Sequence, residues 1–205
     1  MISATSWRRV PIAVLAWVAA LLVAGCASQE QISHAIGDVN QLFRVEYEAI
    51  LAKEGTRVYP VPAADAYKAA RAGLIRLGMQ VEGEDPGLGY VNVFAPAPLP
   101  LDLNEWRAAA DADLPRLREV ARPHIGMLSE FIRFEPEGLQ IVINATTVPA
   151  GAGTEISLTT RMREIAPPKS GMPRREYPPP TGVRIALDKI WKAIDAELQP
   201  ALRKR

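Results

Sequence analysis

The chain reads as an α+β protein, a largely antiparallel sheet of about five or six strands with helices packed mainly on one face. Four observations predict this. Apolar residues alternate through Leu139, Ile141 and Ile143, and again through Ile156, Leu158 and Met162. Only Ala150-Gly151-Ala152-Gly153 turns the chain between these runs, and so short a connection cannot cross over to a parallel neighbour. Near the C-terminus, Val183, Leu187, Ile190, Trp191, Ile194 and Leu198 recur at helical spacing on one broad apolar face. Between Thr56 and Ala95, strand, helix, strand and strand patterns follow one another with a breaker or turn residue at each junction.

The N-terminus has the three parts of an export signal. Arg8 and Arg9 are basic, Ile12 to Val23 are mostly apolar, and Ala24 and Gly25 are small. An uncleaved membrane helix needs roughly 20 apolar residues, and this run is shorter. Trp7 and Pro11 fit a twin-arginine signal poorly, so the general export route is expected.

Val23-Ala24-Gly25-Cys26 resembles the lipobox of bacterial lipoproteins, with Val23 where leucine is commoner. The resemblance implies cleavage before Cys26 and diacylglycerol on its thiol, often with acylation of the new amine. Residues 1–25 are then a signal peptide and 26–30 a lipidated tether. One acyl chain holds a membrane only marginally, so two or three chains make the anchor stable. Ala27 follows the cysteine where inner-membrane lipoproteins usually carry aspartate. The resemblance therefore implies the outer membrane, facing the periplasm, rather than the inner membrane.

Composition bounds what the rest can be. After cleavage about 180 residues remain, enough for one domain with a real core. The whole chain carries a formal charge of +1, and loss of Arg8 and Arg9 leaves about −1. No excess of basic charge is present to bind nucleic acid. Cys26 is the only cysteine, so the domain holds no internal disulfide and no thiolate metal site.

Residues 31–54 predict an amphipathic helix, with Ile32, Ile36, Val39, Phe43 and Ile50 on one side and Gly55 as its stop. It either packs on the domain, or pairs with a partner or holds the domain off the membrane. The α+β domain then spans 55–205. Thr56 to Val61 reads as a strand with Val58 facing inward, ended by Pro62. Ala63 to Leu77 reads as a helix stopped by a left-handed Gly78. Met79 to Glu82 and Gly89 to Ala95 read as strands around the turn residues Asp85-Pro86-Gly87. Pro96, Pro98 and Pro100 force an extended passage. Helical sequence resumes near Asn104, and a second helical stretch around Pro115 has Asp113 as its cap. Glu130 to Glu135 reads as the first strand of a three-stranded meander with the two strands described above.

Residues 166–182 form a proline-rich loop in which Lys169, Arg174 and Arg175 add positive charge. Long segments of this kind are usually functional or disordered. Lys169, Arg174, Arg175 and Tyr177 are therefore the candidate partner-binding residues. The unit from Thr56 to Ala95 resembles small α+β modules of periplasmic and outer-membrane assembly lipoproteins. The likeness rests on Pro62, the Leu74…Leu77-Gly78 helix end and the Asp85-Pro86-Gly87-Leu88-Gly89 turn, about a fifth of the chain. The insertion from Leu103 to Leu128 and the proline-rich loop depart from that module.

Catalytic signatures are missing. His34 and His124 are the only histidines, and no His-Glu-x-x-His or Gly-x-Ser-x-Gly pattern occurs. Gly87-Leu88-Gly89 lies between strands, whereas a phosphate-binding loop opens a helix. Glu82, Glu84 and Asp85 read as a solvated turn, because no calcium-loop spacing follows. Trp106 and Trp191, at helical spacing, read as core. Arg161 and Arg163 share a strand face and are candidate anion-binding residues, since guanidinium pairs bidentately with carboxylate or phosphate. The expectation is a non-enzymatic envelope lipoprotein without metal or cofactor, acting as a protein-interaction or assembly module with an envelope protein as partner. The alternative is a small-molecule or lipid-binding lipoprotein with a cavity between sheet and helices.

Overall fold

A computed structural model describes residues 27–166, 168 and 171–203. The expected signal peptide, the expected lipidation residue Cys26 and the partner-binding candidate Lys169 lie outside the described residues.

Helix α1 spans Gln29–Glu54. Ser28 opens it with a capping box, its hydroxyl accepting from the Gln31 amide while the Gln31 side chain accepts from the Ser28 amide. Phe43, Tyr47 and Ile50 recur on one side and are buried in the core, so the helix is part of the domain. Strand β1 (Thr56–Tyr59) leads into α2 (Ala63–Arg76). Gly78, at φ +85°, ends α2 as expected. Its amide donates to Ile75 O and that of Met79 to Leu74 O, which satisfies two terminal carbonyls of the helix.

Strands β2 (Gln80–Asp85) and β3 (Tyr90–Pro96) form a hairpin, with a register shift between Val81 and Gly83. Helix α3 (Leu103–Ile125) and a 3-10 turn (Gly126–Phe131) precede the long hairpin of β4 (Leu139–Ala150) and β5 (Gly153–Glu164). Helix α4 (Pro180–Leu202) closes the fold.

The five strands lie in the order β1-β5-β4-β3-β2, and every neighbouring pair is antiparallel. One face is apolar: Val91, Val93 and Ala95, then Ile141, Ile143 and Ala145, then Ile156, Leu158 and Met162 are all buried. The helices cover this face, with α2 against β3, β4 and β5, and α4 packed on α2, α3 and α1. β5 outruns its partner β1, and three different groups complete its edge. The amides of Leu158, Thr160 and Met162 donate to Gly55 O, the Tyr47 hydroxyl and Glu176 O. The edge amides of these three residues are thus satisfied without a further strand.

Five local expectations are corrected. Residues 97–100 are not extended but turn twice, the Leu99 amide donating to Pro96 O and the Leu101 amide to Pro98 O. Glu130–Glu135 is not a strand. Its first residues finish the 3-10 turn, and Ile132 and Phe134 pack towards α1 and α3 without a ladder partner. The meander is therefore a two-stranded hairpin. Val58 is 60% exposed, because Val58 stands on the outer face of a short edge strand. Pro115 starts no new helix, since α3 runs through it with Trp106, Ala110, Leu117 and Ala121 buried along one side. Asp113 instead caps α4, its carboxylate accepting from the amide (2.9 Å) and hydroxyl (2.7 Å) of Thr181.

Trp106 and Trp191 are core residues with their indole N–H groups satisfied by Phe134 O and Glu54 O. Beside Trp191, the Tyr59 hydroxyl donates to Asp195 at 2.6 Å. Burial, followed by this hydrogen bond, raises the Tyr59 pKa to about 12. The folded state then holds the phenolic proton more tightly than an unfolded chain titrating near 10.0. Its contribution to stability is complete below that value and is lost as the pH rises towards about 12. Melting temperatures of the parent protein are expected to fall over this window, and Tyr59→Phe is expected to flatten the fall.

Candidate functional site

Helices α1 and α3 pack along each other. His124 Nε2 meets Asp38 Oδ2 at 2.7 Å, and the His34 ring stacks on His124 with centroids 5.9 Å apart. An ion pair between Arg116 and Glu46 ties the same two helices. Between them the packing is incomplete, and a groove of about 170 Å³ opens.

One wall of the groove is the apolar stripe of α1: Ile32, Ala35, Ile36, Val39 and Phe43. The facing wall is Leu117, Ala121 and Ile125, spaced by four along α3. Ile132 and Phe134 supply a third side. Phe134 is held by its carbonyl, which accepts from Trp106 Nε1 at 2.9 Å, and by ring contacts with Phe43 and Trp106.

The fourth side comes from the end of the proline-rich loop. Asn40 on α1 clamps that segment, its Nδ2 donating to Arg174 O at 2.7 Å and its Oδ1 accepting from the Glu176 amide at 3.3 Å. Arg175 reaches the groove and donates to Glu164 at 2.5 Å. Tyr177 is buried, lines the groove and packs on Tyr47 with centroids 5.4 Å apart. Burial pushes the Tyr47 hydroxyl above its ordinary pKa, so it stays neutral where it accepts from Thr160.

Two cations border this otherwise apolar surface. Arg175 is neutralised by Glu164. Arg133 donates only to the main-chain oxygens of Glu130 and Ile132, so it has no carboxylate partner among the described residues. The arrangement offers an apolar slot with an uncompensated positive charge at its rim.

The structure thus brings Arg175 and Tyr177 together at one place and leaves Arg174 exposed beside them. Arg161 and Arg163 diverge. Arg161 stacks over Tyr177 (4.7 Å) and Tyr47 (5.4 Å). Arg163 crosses the outer sheet face to Gln140 (2.7 Å) and Glu82 (2.8 Å), passing over Phe94. The hydrogen bond from Arg163 holds the Glu82 carboxyl below its usual range. Glu84 is likewise held low, first by Arg71 and then by Tyr67. Asp85 accepts from the Leu88 amide within the turn. All three acidic residues of this cluster are thus engaged by the chain itself.

Sequence reasoning missed Asn40, Arg133 and Phe134. Asn40 carried a signal, being polar within the stripe formed by Ile36, Val39 and Phe43. Where the sheet meets the helices, a crevice of only about 20 Å³ remains, lined by Ile141, Trp106 and Val183 among others. Among the described residues no three His, Cys, Asp or Glu side chains gather as a metal ion requires. No helix among them is long and apolar enough to cross a membrane. Comparison with protein-family models, with curated proteins and with solved structures found no match to this chain.

Proposed function

We propose that this protein is a non-enzymatic binding protein of the bacterial envelope, held by lipid at Cys26 on the periplasmic side of the outer membrane. Its groove between α1 and α3 takes the apolar tail of an amphiphile whose anionic head meets Arg133. The observation that carries this reading is the pairing of an apolar slot of about 170 Å³ with a cation lacking a carboxylate partner. Apolar cavities of about 150 Å³ take up a benzene ring, so the slot is large enough for a ring or the end of an acyl chain. Each methylene buried there contributes about 0.8 kcal/mol. The arginine adds selectivity for a carboxylate, sulfonate or phosphate head.

Two features favour a ligand over a protein as the occupant of this site. Tyr177, one of the candidate partner-binding residues, is buried, and Arg175 is engaged by Glu164.

The test is displacement of 11-(dansylamino)undecanoate by dodecanoate. Ile36→Trp fills the groove from a half-buried position on α1 and is expected to abolish probe binding while leaving the melting temperature nearly unchanged. Arg133→Gln is expected to weaken dodecanoate about tenfold, the scale of one charge-assisted contact, and to leave dodecanol unaffected. Unaltered probe binding in Ile36→Trp contradicts the assignment.

A further inference from the structure

The turn that follows α3 exposes three large apolar side chains within five residues. Met127 is 86% exposed, Phe131 73% and Leu128 40%. Single exposed apolar residues are ordinary, but a cluster on one turn marks a contact surface. This turn is built, not frayed. Ser129 is fully buried at its centre and donates to Gly126 O at 2.8 Å, which fixes the 3-10 geometry. The Ile132 amide donates back to Ser129 O at its end.

Arginines surround the apolar tip. Arg118 and Arg122 share the single carboxylate of Glu130, and Arg133 has none. Arg122 and Arg133 are exposed beside the tip, whereas Arg118 is partly buried behind them. Long cationic side chains beside exposed apolar groups suit a bilayer interface, where the stems lie among apolar groups and the charges meet lipid head groups.

We infer that the Gly126–Phe131 turn is a membrane-contact element, with Met127, Leu128 and Phe131 entering an anionic lipid surface and the surrounding arginines meeting its head groups. Charge complementarity selects this occupant, and a convex tip of three side chains suits the soft interface of a bilayer better than a matched protein surface. Ile125 and Ile132, which flank the turn, also line the groove. Membrane contact at the tip would bring the groove to the lipid. Arg133 borders both the groove and the tip, so the inference is carried by Met127, Leu128, Phe131 and Arg122 and does not depend on what the groove holds.

The test uses the full chain in vesicles of phosphatidylethanolamine with phosphatidylglycerol. In Phe131→Trp, the emission added over the parent protein is expected to shift to the blue and to fall by roughly half with lipids brominated along the acyl chain, as for a residue at the head-group–acyl boundary. If that added emission stays at its aqueous position, without quenching, in protein that floats with the vesicles, the inference is overturned. A second measurement needs no substitution. Amide exchange over 126–131 is expected to slow about threefold or more on phosphatidylglycerol vesicles relative to phosphatidylcholine vesicles. Equal exchange on both, or protection that appears only when envelope proteins are added, overturns it. Binding of dodecanoate reports separately on the groove.

Discussion

Trp191→Ala is expected to lower the melting temperature by roughly 10–15 °C. Trp191 is 1% exposed and lies on α4 where that helix meets the end of α1 and strand β1. Its ring packs against Tyr59 at 6.5 Å, and the Arg57 guanidinium sits 4.8 Å from its centroid. Its indole N–H donates to Glu54 O, one of the last carbonyls of α1, at 2.7 Å. Truncation removes this packing, leaves a cavity and strips the donor from that carbonyl. Removing a buried aromatic side chain costs about 3–5 kcal/mol, and each kcal/mol is about 2–4 °C in a chain of this size. Trp191→Phe keeps most of the packing and loses the hydrogen bond, so its loss should be less than half as large. Thermal melts followed by circular dichroism check both values. Trp191 does not line the groove, so probe binding per folded molecule should be unchanged.

The second large effect is expected for Gly89→Ala, at about 3 kcal/mol of destabilisation from backbone strain and overpacking together. Gly89 has φ +67°, a conformation that an L-residue with a side chain rarely adopts. A methyl group there would also stand 2.3 Å from Thr147 O and 2.4 Å from Thr147 Oγ1. Neither neighbour is free to retreat. The Thr147 amide donates to Gly89 O at 2.8 Å, and its hydroxyl donates to the same oxygen at 3.2 Å. That contact joins the β2–β3 turn to β4, so moving it disturbs the register of the central strands. Gly87→Ala serves as the control. It lies in the same turn, and its added methyl would meet only the Asp85 carboxylate at 3.2 Å. Its cost should be about 1 kcal/mol or less. Chemical denaturation of the two variants separates the strain at position 89 from any general sensitivity of the turn.

Local chemistry wrote the parts of the fold that sequence reasoning found. Gly78 stops α2 because only its neighbours on the same helix are involved. Asp85, Pro86 and Gly87 turn the β2–β3 hairpin within a few residues. The alternation of Leu139, Ile141 and Ile143 against Gln140, Val142 and Asn144 announces one buried face and one open one. What failed was set by distant parts of the chain. Asp113 resembles a cap for its own stretch, but its partner Thr181 lies 68 residues away. Pro115 should cost a helix interior about 3 kcal/mol, yet burial of Trp106, Leu114, Leu117 and Ala121 on the same side of α3 carries the helix through. The alternation of Glu130 to Glu135 is real, but Ile132 and Phe134 answer to helices instead of to a strand.

The groove was half legible for the same reason. The stripes Ile32–Phe43 and Leu117–Ala121 were each apparent at helical spacing. Nothing in one stripe reveals that it faces the other across a long stretch of sequence, or that Asn40 fastens Arg174 and Glu176 beside them. In sequence the proline-rich loop stands out for its charge. Its structural part is the short clamp from Arg174 to Tyr177 that closes one side of the slot.

The most direct measurement of ligand binding in the groove is a methyl NMR titration of isoleucine-labelled protein with dodecanoate. Ile32, Ile36, Ile125 and Ile132 line the groove, whereas Ile141, Ile143 and Ile156 lie in the sheet core and serve as internal references. Saturable shifts at the four groove methyls, with the core methyls unmoved and the response weakened in Arg133→Gln, are the predicted result. Unshifted groove methyls at saturating dodecanoate, or shifts confined to other isoleucines, would contradict the proposal that this slot is the binding site.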